Sequence, residues 1–218
     1  DPRACDTATV LTEIGAEELF QMARHGSKVV HTPAAEFALA SGIDLRVRNT
    51  FSDGSGTRVA DMRAYAPAGV ATAVSHTEGI ARFTVTLPEI EGTEQHMRGQ
   101  TSVYRSMAQA EVSLDMFTPV GDSLVFTVQE DRVSAASDVL RRLGMSFTVR
   151  RGLAKVTLVG AGMHGVPGVM AAMADYLAHA GVHILQAADS HTTISALVPA
   201  EETHAAVMAL HQGFGLDT

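Results

Sequence analysis

Two stretches of this sequence repeat each other: Gly79-Ile80-Ala81-Arg82-Phe83-Thr84-Val85 and, 73 positions later, Gly152-Leu153-Ala154-Lys155-Val156-Thr157-Leu158. Further along, residues 109–114 correspond to 179–184 and residues 125–128 to 195–198, both at an offset of 70. A nearly constant offset indicates duplicated modules that differ in one loop, which is longer in the first copy, between about 86 and 108. Paired small modules favour a binding or regulatory role over an active site.

Hydrophobic periodicity predicts the same order of elements in both copies, namely strand, helix, strand, strand and helix. The second copy is one strand short of a βαββαβ module, so one module is expected to borrow a strand from the other. Residues 146–151 are predicted as a further strand. The fold class that follows is α+β, with two ferredoxin-like modules built on antiparallel sheets. The predicted elements are 80–86, 101–110, 112–117, 123–128 and 133–143 in the first copy, and 153–159, 166–180, 182–187, 193–198 and 201–212 in the second.

The first 66 residues do not belong to the repeat. Apolar spacing predicts short helices over 16–24 and 33–40, and alternation predicts a strand over 43–51 with one charged side. Residues 64–69, which include a proline, are expected to form a linker. The predicted division of the chain is therefore a separate segment over 1–66, a first module over 67–150 and a second module over 151–218.

Composition excludes several classes of function. The net charge of −8 argues against binding to nucleic acid, because phosphate neutralisation needs clustered basic residues. Glycines and a proline interrupt the longest uncharged run, 156–174, so no membrane span is expected. The ten histidines show no metal-ligand spacing, and a single cysteine, Cys5, fits a cytoplasmic protein without an internal disulfide.

A glycine-rich motif, Gly160-Ala161-Gly162-Met163-His164-Gly165, follows a predicted strand and is expected to open a helix. One interpretation is a dinucleotide site, with Asp189 as the ribose-binding acid, in a fragment of a nucleotide-dependent oxidoreductase. A second is that backbone N–H groups at a helix N-terminus bind an anion such as an amino-acid carboxylate. A third is that Gly162, Gly165 and Gly168 only permit close helix-on-sheet packing.

Other polar residues are also candidates for binding. Asp115 and Asp189 are placed after the second strand of their modules, four residues apart in register, where either could accept hydrogen bonds from an ammonium group. In the first segment Lys28 follows a predicted helix, and a basic set of this kind can hold nucleotide phosphates, although each member alone is an ordinary surface residue. The other members of that set are Arg3, Arg46 and Arg48.

Several motifs together resemble the C-terminal half of aspartate kinase, which phosphorylates the side-chain carboxylate of aspartate with ATP. Asp1-Pro2-Arg3 and Gly26-Ser27-Lys28-Val29-Val30-His31 are similar to segments near that family's nucleotide, and Arg46 to Phe51 resembles the end of its kinase domain. The two repeats resemble its tandem ACT domains, which are amino-acid-binding regulatory modules. Residues 188–194, Ala-Asp-Ser-His-Thr-Thr-Ile, are similar to the variant found in diaminopimelate-sensitive members.

The resemblance implies a function and a set of site residues. The chain would be the regulatory portion of the enzyme, preceded by a fragment of the catalytic domain over 1–66. It would bind lysine, threonine or diaminopimelate at an interface between ACT domains, and form a homodimer through those domains. Asp1, Arg3 and Lys28 would lie near ATP. The residues that would contact the effector are Asp115, Met116, Met163, Gly165, Val166, Pro167, Gly168, Val169, Ala188, Asp189, Ser190 and His191.

The sequence also departs from the family. Thr32-Pro33 follows His31 where the family has Pro-Arg, and the N-terminal Lys-x-Gly-Gly segment that binds aspartate and phosphates is absent. Half of the charge that would surround the γ-phosphate and its Mg²⁺ is then missing. We therefore expect a fragment or a processed chain that is inactive as a kinase alone, contains no catalytic residues or cofactor of its own, and works with a separate or missing catalytic segment. ATP and Mg²⁺ would belong to the complete enzyme.

Overall fold

The computed structural model describes residues 4–43, 45–51, 53–60, 69–87, 93–163 and 165–217. The chain divides into two compact units. Residues 1–77 and 155–218 form the first unit, and residues 78–154 form the second. The two boundaries fall within two long strands of 14 residues each. Helices and antiparallel strand pairs occur in both units, so the predicted α+β class is confirmed.

The amino-terminal part of the first unit is a small three-stranded sheet with two helices. Its order is β1-β3-β2, with β1 parallel and β2 antiparallel to β3. A small apolar cluster of Ile14, Leu19 and Val59 lies between this sheet and α1. The elements are β1 Glu13–Gly15, α1 Ala16–Arg24, α2 Thr32–Ser41, β2 Leu45–Val47 and β3 Thr57–Ala60.

Both predicted helices of this segment are confirmed to within one residue at each end. The predicted strand over 43–51 is too long, because β2 covers only three residues. Arg46 Nη1 donates to the Ser55 carbonyl at 2.9 Å and Arg48 Nε donates to the Gly54 carbonyl at 3.1 Å, so both side chains stabilise the turn to β3. The sequence interpretation missed β1 and β3, whose three and four residues are too few to show periodicity.

The second unit contains a sheet in the order β5-β6-β4-β7 with two helices. Phe83 on β4 stacks on Phe126 on β6 at 5.3 Å between ring centroids, in register with the antiparallel pairing of these strands. The helices contribute buried Val103, Met107 and Leu140 to the same core. The elements are β4 Ala73–Thr86, α3 Thr93–Gln109, β5 Asp115–Val120, β6 Ser123–Gln129, α4 Val133–Arg142 and β7 Ser146–Val159.

The remainder of the first unit repeats this arrangement in the order β4-β7-β9-β8, using residues 73–77 of β4 and 155–159 of β7. Residues 73–77 supply the strand that the second copy lacked, as the sequence predicted. Tyr176 on α5 meets Phe214 edge-on, with 5.3 Å between their ring centroids. The further elements are α5 Val169–His179, β8 Gln186–Asp189, β9 Thr193–Pro199 and α6 Thr203–Gly213.

Several boundaries differ from the predictions. Residues 146–151 and 153–159 form one strand, because Gly152, with φ of 67°, allows the strand to continue through a conformation that other residues rarely adopt. Helix α5 begins three residues later than predicted, after Gly168. Strand β8 begins four residues later than predicted. Asp115 is the first residue of β5 and does not follow that strand.

Candidate functional site

A cavity of about 470 Å³ lies in the first unit, between the loop that follows β7, the start of α5 and the end of β8. Its volume falls within the range typical of small-molecule sites. The wall is largely apolar, with Asp189 and Ser190 as its polar side chains. The lining residues are Met163, Gly165, Val166, Gly168, Val169, Met170, Ala187, Ala188, Asp189, Ser190 and Ile194.

The N-terminus of α5 forms one side of this cavity. Gly168 precedes the helix in a left-handed conformation, with φ of 92°, and no side chain caps the first turn. The first N–H groups of a helix have no partner within it and carry partial positive charge. The helix has 11 residues and no acidic side chain in its first turn. This side of the cavity is therefore suited to an anionic group.

The end of β8 forms a second, polar wall of the cavity. Asp189 is the last residue of β8 and its side chain is exposed. The following turn is closed by a hydrogen bond from Ser190 N to the Thr193 carbonyl at 2.8 Å, and the two hydroxyl oxygens lie 2.7 Å apart. The turn holds Asp189 at the cavity, where its carboxylate could accept hydrogen bonds from a cationic group.

The structure brings eight of the predicted effector residues together around this cavity. It also adds Met170, Ala187 and Ile194, which the sequence interpretation missed. These three are apolar residues of α5, β8 and β9 without a polar group or a binding motif, so no feature of the sequence marked them as cavity residues. Pro167 and His191 are adjacent to lining residues without lining the cavity themselves. The eight residues are Met163, Gly165, Val166, Gly168, Val169, Ala188, Asp189 and Ser190.

The remaining two predicted effector residues lie in the second unit. Asp115 Oδ1 accepts a hydrogen bond from Met116 N at 2.9 Å, and the pairing of β5 with β6 shifts register between Asp115 and Thr118. Met116 is buried and has φ of 45°, a conformation that is unusual for a residue other than glycine. Such outliers often occur at ligand sites, so the two residues remain candidates.

The predicted ATP-proximal residues are only partly described. Lys28 is exposed in the turn after α1. Asp1 and Arg3 lie outside the described residues. Arg46 and Arg48 donate to carbonyl groups of the neighbouring turn, as described above. A role of these residues near ATP stays a prediction.

The glycine-rich motif is not the start of a helix, so that prediction was wrong. A short 3₁₀ turn covers Ala161–Met163, and α5 begins only at Val169. A Cβ atom on Gly160 would lie 2.8 Å from Ala71 Cα, and one on Gly162 would lie 2.5 Å from the Gly69 carbonyl oxygen. These two glycines therefore permit close approach of the backbone before β4, which is different from the predicted helix packing. His164 lies outside the described residues.

The described residues contain no cluster of three or more His, Cys, Asp or Glu side chains that could hold a metal ion. Within the same residues, no helix is both long enough and apolar enough to cross a membrane.

Comparisons with known proteins agree with this architecture. The ACT domain family matches residues 148–212. The chain is 34% identical to aspartokinase 1 of Bacillus subtilis over 221 residues, which are 99% of this chain and 54% of the relative. The chain is similar to aspartokinases over its whole length. It spans about half the length of the curated relatives it matches.

Solved structures of aspartokinases share the fold. The regulatory subunit of Thermus thermophilus aspartate kinase, in ligand-free form, is 28% identical with a TM-score of 0.58, and the match covers 66% of this chain and 99% of that subunit. Escherichia coli aspartokinase III in complex with lysine and aspartate has a TM-score of 0.77 at 23% identity, covering 98% of this chain and 48% of that protein. A regulatory region built from tandem ACT domains, preceded by part of a kinase domain, therefore describes this chain.

Proposed function

We propose that this region binds an end-product amino acid of the aspartate pathway in the cavity between α5 and β8. The bound amino acid would inhibit the ATP-dependent phosphorylation of L-aspartate to 4-phospho-L-aspartate by the complete enzyme. The observation that carries the proposal is the pairing, in one cavity, of an uncapped helix N-terminus with Asp189. A free amino acid carries a carboxylate and an ammonium group, and these two walls complement those charges.

The candidate effectors are lysine, threonine and diaminopimelate. All three share the α-carboxylate and α-ammonium groups that the two polar walls would contact. The similarity to aspartokinase III, whose structure contains lysine, supports an amino acid of this group. The similarity of residues 188–194 to the diaminopimelate-sensitive variant is the reason to test that compound beside the other two.

The proposed domain division assigns 1–66 to the kinase domain, 67–150 to the first ACT domain and 151–218 to the second. Asp1, Arg3 and Lys28 would lie near ATP and Mg²⁺ in the complete enzyme. The effector would act by binding one conformation of the protein more tightly than another, since a ligand with equal affinity for both does not change the equilibrium between them. We place the protein in the cytoplasm, where its substrates would be found.

A binding experiment tests the proposal. Lysine, threonine and diaminopimelate, added singly and in pairs at millimolar concentration, should raise the melting temperature of this chain. A ligand at 100 times its Kd stabilises the folded state by about 2.7 kcal/mol. NAD serves as the comparison compound, because stabilisation by NAD alone would favour an oxidoreductase fragment. If none of the three amino acids changes the melting temperature, the cavity has no such ligand.

Substitution of Asp189 tests the role of the acidic wall. Asp189→Ala should weaken binding by about tenfold or more, because a charge-assisted hydrogen bond contributes roughly 1.5–3 kcal/mol. The exposed side chain should allow the variant to fold. Asp175→Ala is the matched control, since Asp175 is exposed on α5 and does not line the cavity. Equal affinities of the wild type and Asp189→Ala in calorimetry would remove Asp189 from the site.

A further inference from the structure

Glu18 on α1 is fully buried, and its carboxylate accepts three hydrogen bonds. Oε1 accepts from Thr72 Oγ1 at 2.6 Å and from Ala161 N at 2.8 Å, while Oε2 accepts from Gly15 N at 3.2 Å. The carboxylate thus joins the start of α1, the segment before β4 and the loop after β7. The sequence interpretation did not single out this residue, because the partner at Ala161 is 143 positions away.

The environment of Glu18 makes these contacts sensitive to movement. Burial of a carboxylate has a large desolvation free energy, which hydrogen bonds to its oxygens compensate. Removal of one donor leaves part of that free energy uncompensated. The N-terminus of α1 also favours negative charge at the position of Glu18. A displacement of the loop at Ala161 therefore requires either that α1 follows it or that the carboxylate becomes hydrated.

The loop that contacts Glu18 is continuous with the wall of the cavity. Ala161 and Met163 belong to the same 3₁₀ turn, and Met163 lines the cavity. On its other side the turn is held against the backbone at Gly69 and Val70, where Gly160 and Gly162 leave no room for a side chain. A ligand that moves Met163 would therefore move Ala161 with it.

We propose that Glu18 is a positioning residue that couples occupancy of the cavity to the position of α1. This inference rests on the proposed function, because it requires an amino acid to bind the cavity. A displacement of Ala161 would act on α1 directly, through the hydrogen bond from Ala161 N to the Glu18 carboxylate. Since α1 belongs to the segment assigned to the kinase domain, Glu18 is a specific contact through which an effector would influence catalysis.

Hydrogen–deuterium exchange of the 218-residue chain tests the coupling. The probes are lysine, threonine and diaminopimelate at millimolar concentration, alone and in pairs. In the wild type the effective amino acid should slow exchange in residues 163–170 and change exchange in residues 20–24 of α1 by about fivefold or more. In Glu18→Gln the response of 163–170 should persist while that of 20–24 is weakened, because the neutral amide oxygen is a weaker acceptor for Ala161 N and the amide NH₂ group cannot accept from Gly15 N.

Matched variants separate coupling from a general effect on the helix. Glu17→Gln makes the same chemical change one residue earlier on α1, where Glu17 Oε1 accepts from Gln21 Nε2 at 2.8 Å, and it should keep both responses. If Glu18→Gln does not fold, Thr72→Val removes one donor while keeping the side-chain shape, and should reduce the α1 response, whereas Thr72→Ser should preserve it.

The outcomes distinguish this inference from the proposed function. No response at 163–170 in the wild type would overturn the proposed function itself. A response at 163–170 without any at 20–24 would overturn the coupling alone. The coupling is equally wrong if the α1 response is undiminished in Glu18→Gln, or in Thr72→Val where Glu18→Gln is unfolded.

Discussion

Single glycines control how closely two backbone segments approach in the first unit. Gly160 contacts the segment before β4 so closely that a Cβ atom would overlap the Val70 carbonyl oxygen. Gly69 lies in the facing segment, but a Cβ atom there would meet only the Ala71 carbonyl oxygen, at 3.7 Å. The two residues therefore differ in the space available to a methyl group, although neither requires a left-handed conformation.

We predict that Gly160→Ala lowers the free energy of unfolding by about 1–3 kcal/mol, because the backbone must shift to admit the methyl group. Gly69→Ala should change it by less than about 0.5 kcal/mol. Urea denaturation followed by circular dichroism measures both. Equal stability of the two variants would mean that the close approach at Gly160 is relieved without cost.

His211 on α6 makes stability depend on pH. The side chain is buried and its Nδ1 has no hydrogen-bond partner, and desolvation lowers the pKa of His211 while the charge of Asp217 opposes that shift. The folded state therefore favours the neutral imidazole. The unfolded chain binds more protons below the ordinary histidine pKa of about 6.5, so this contribution to stability is present above that pH and is lost as the pH falls through the folded pKa.

We predict that His211→Gln reduces the loss of stability that occurs as the pH falls below the ordinary histidine pKa of about 6.5. The measurement is the free energy of unfolding as a function of pH, compared with wild type. His204→Gln, at an exposed position of the same helix, is the control for the loss of a histidine. If the free energy of unfolding of His211→Gln depends on pH as that of the wild type does, burial of His211 does not contribute to the pH dependence of stability.

At the scale of elements, the helices were easier to predict than the strands. Four of the six described helices begin within two residues of the predicted position, because a 3.6-residue apolar period over nine or more residues is a strong signal. The strands β1 and β3 are too short to show an apolar period. Strand β7 was predicted as two strands because Gly152 interrupts its sequence pattern. Of the cavity, the family resemblance predicted eight lining residues and missed apolar lining residues such as Met170.

Strands β7 and β9 share a buried polar pair. Thr157 Oγ1 and Ser195 Oγ lie 2.9 Å apart, and both side chains are buried. We predict that Thr157→Val and Ser195→Ala each lower the free energy of unfolding by about 1–2 kcal/mol, because each leaves the other hydroxyl without this partner. The double variant should lose less than the sum of the two. A double-mutant cycle measures the difference, and strict additivity would contradict the pairing as a source of stability.

At the scale of the whole molecule, the second unit presents an edge strand with exposed apolar side chains. Strand β5 is at the edge of its sheet, and Phe117 and Val120 on it are 58% and 57% exposed. An edge strand with exposed apolar residues is a common site of pairing with another chain. The family resemblance implies a homodimer through the ACT domains, and β5 is the part of the second unit best suited to form it.

We predict that the chain sediments as a dimer and that Phe117→Lys shifts it toward the monomer at micromolar concentration. A lysine on the edge strand would place like charges against each other across a symmetric interface, and it would also remove the aromatic contact that Phe117 makes with Tyr104 at 5.8 Å. Val10→Lys is the control, since Val10 is 80% exposed in the first unit. A dimer that resists Phe117→Lys and dissociates with Val10→Lys would place the contact in the first unit instead. Because effector binding and assembly would share the ACT domains, the same sedimentation series with the effective amino acid also tests whether the ligand favours one assembly state.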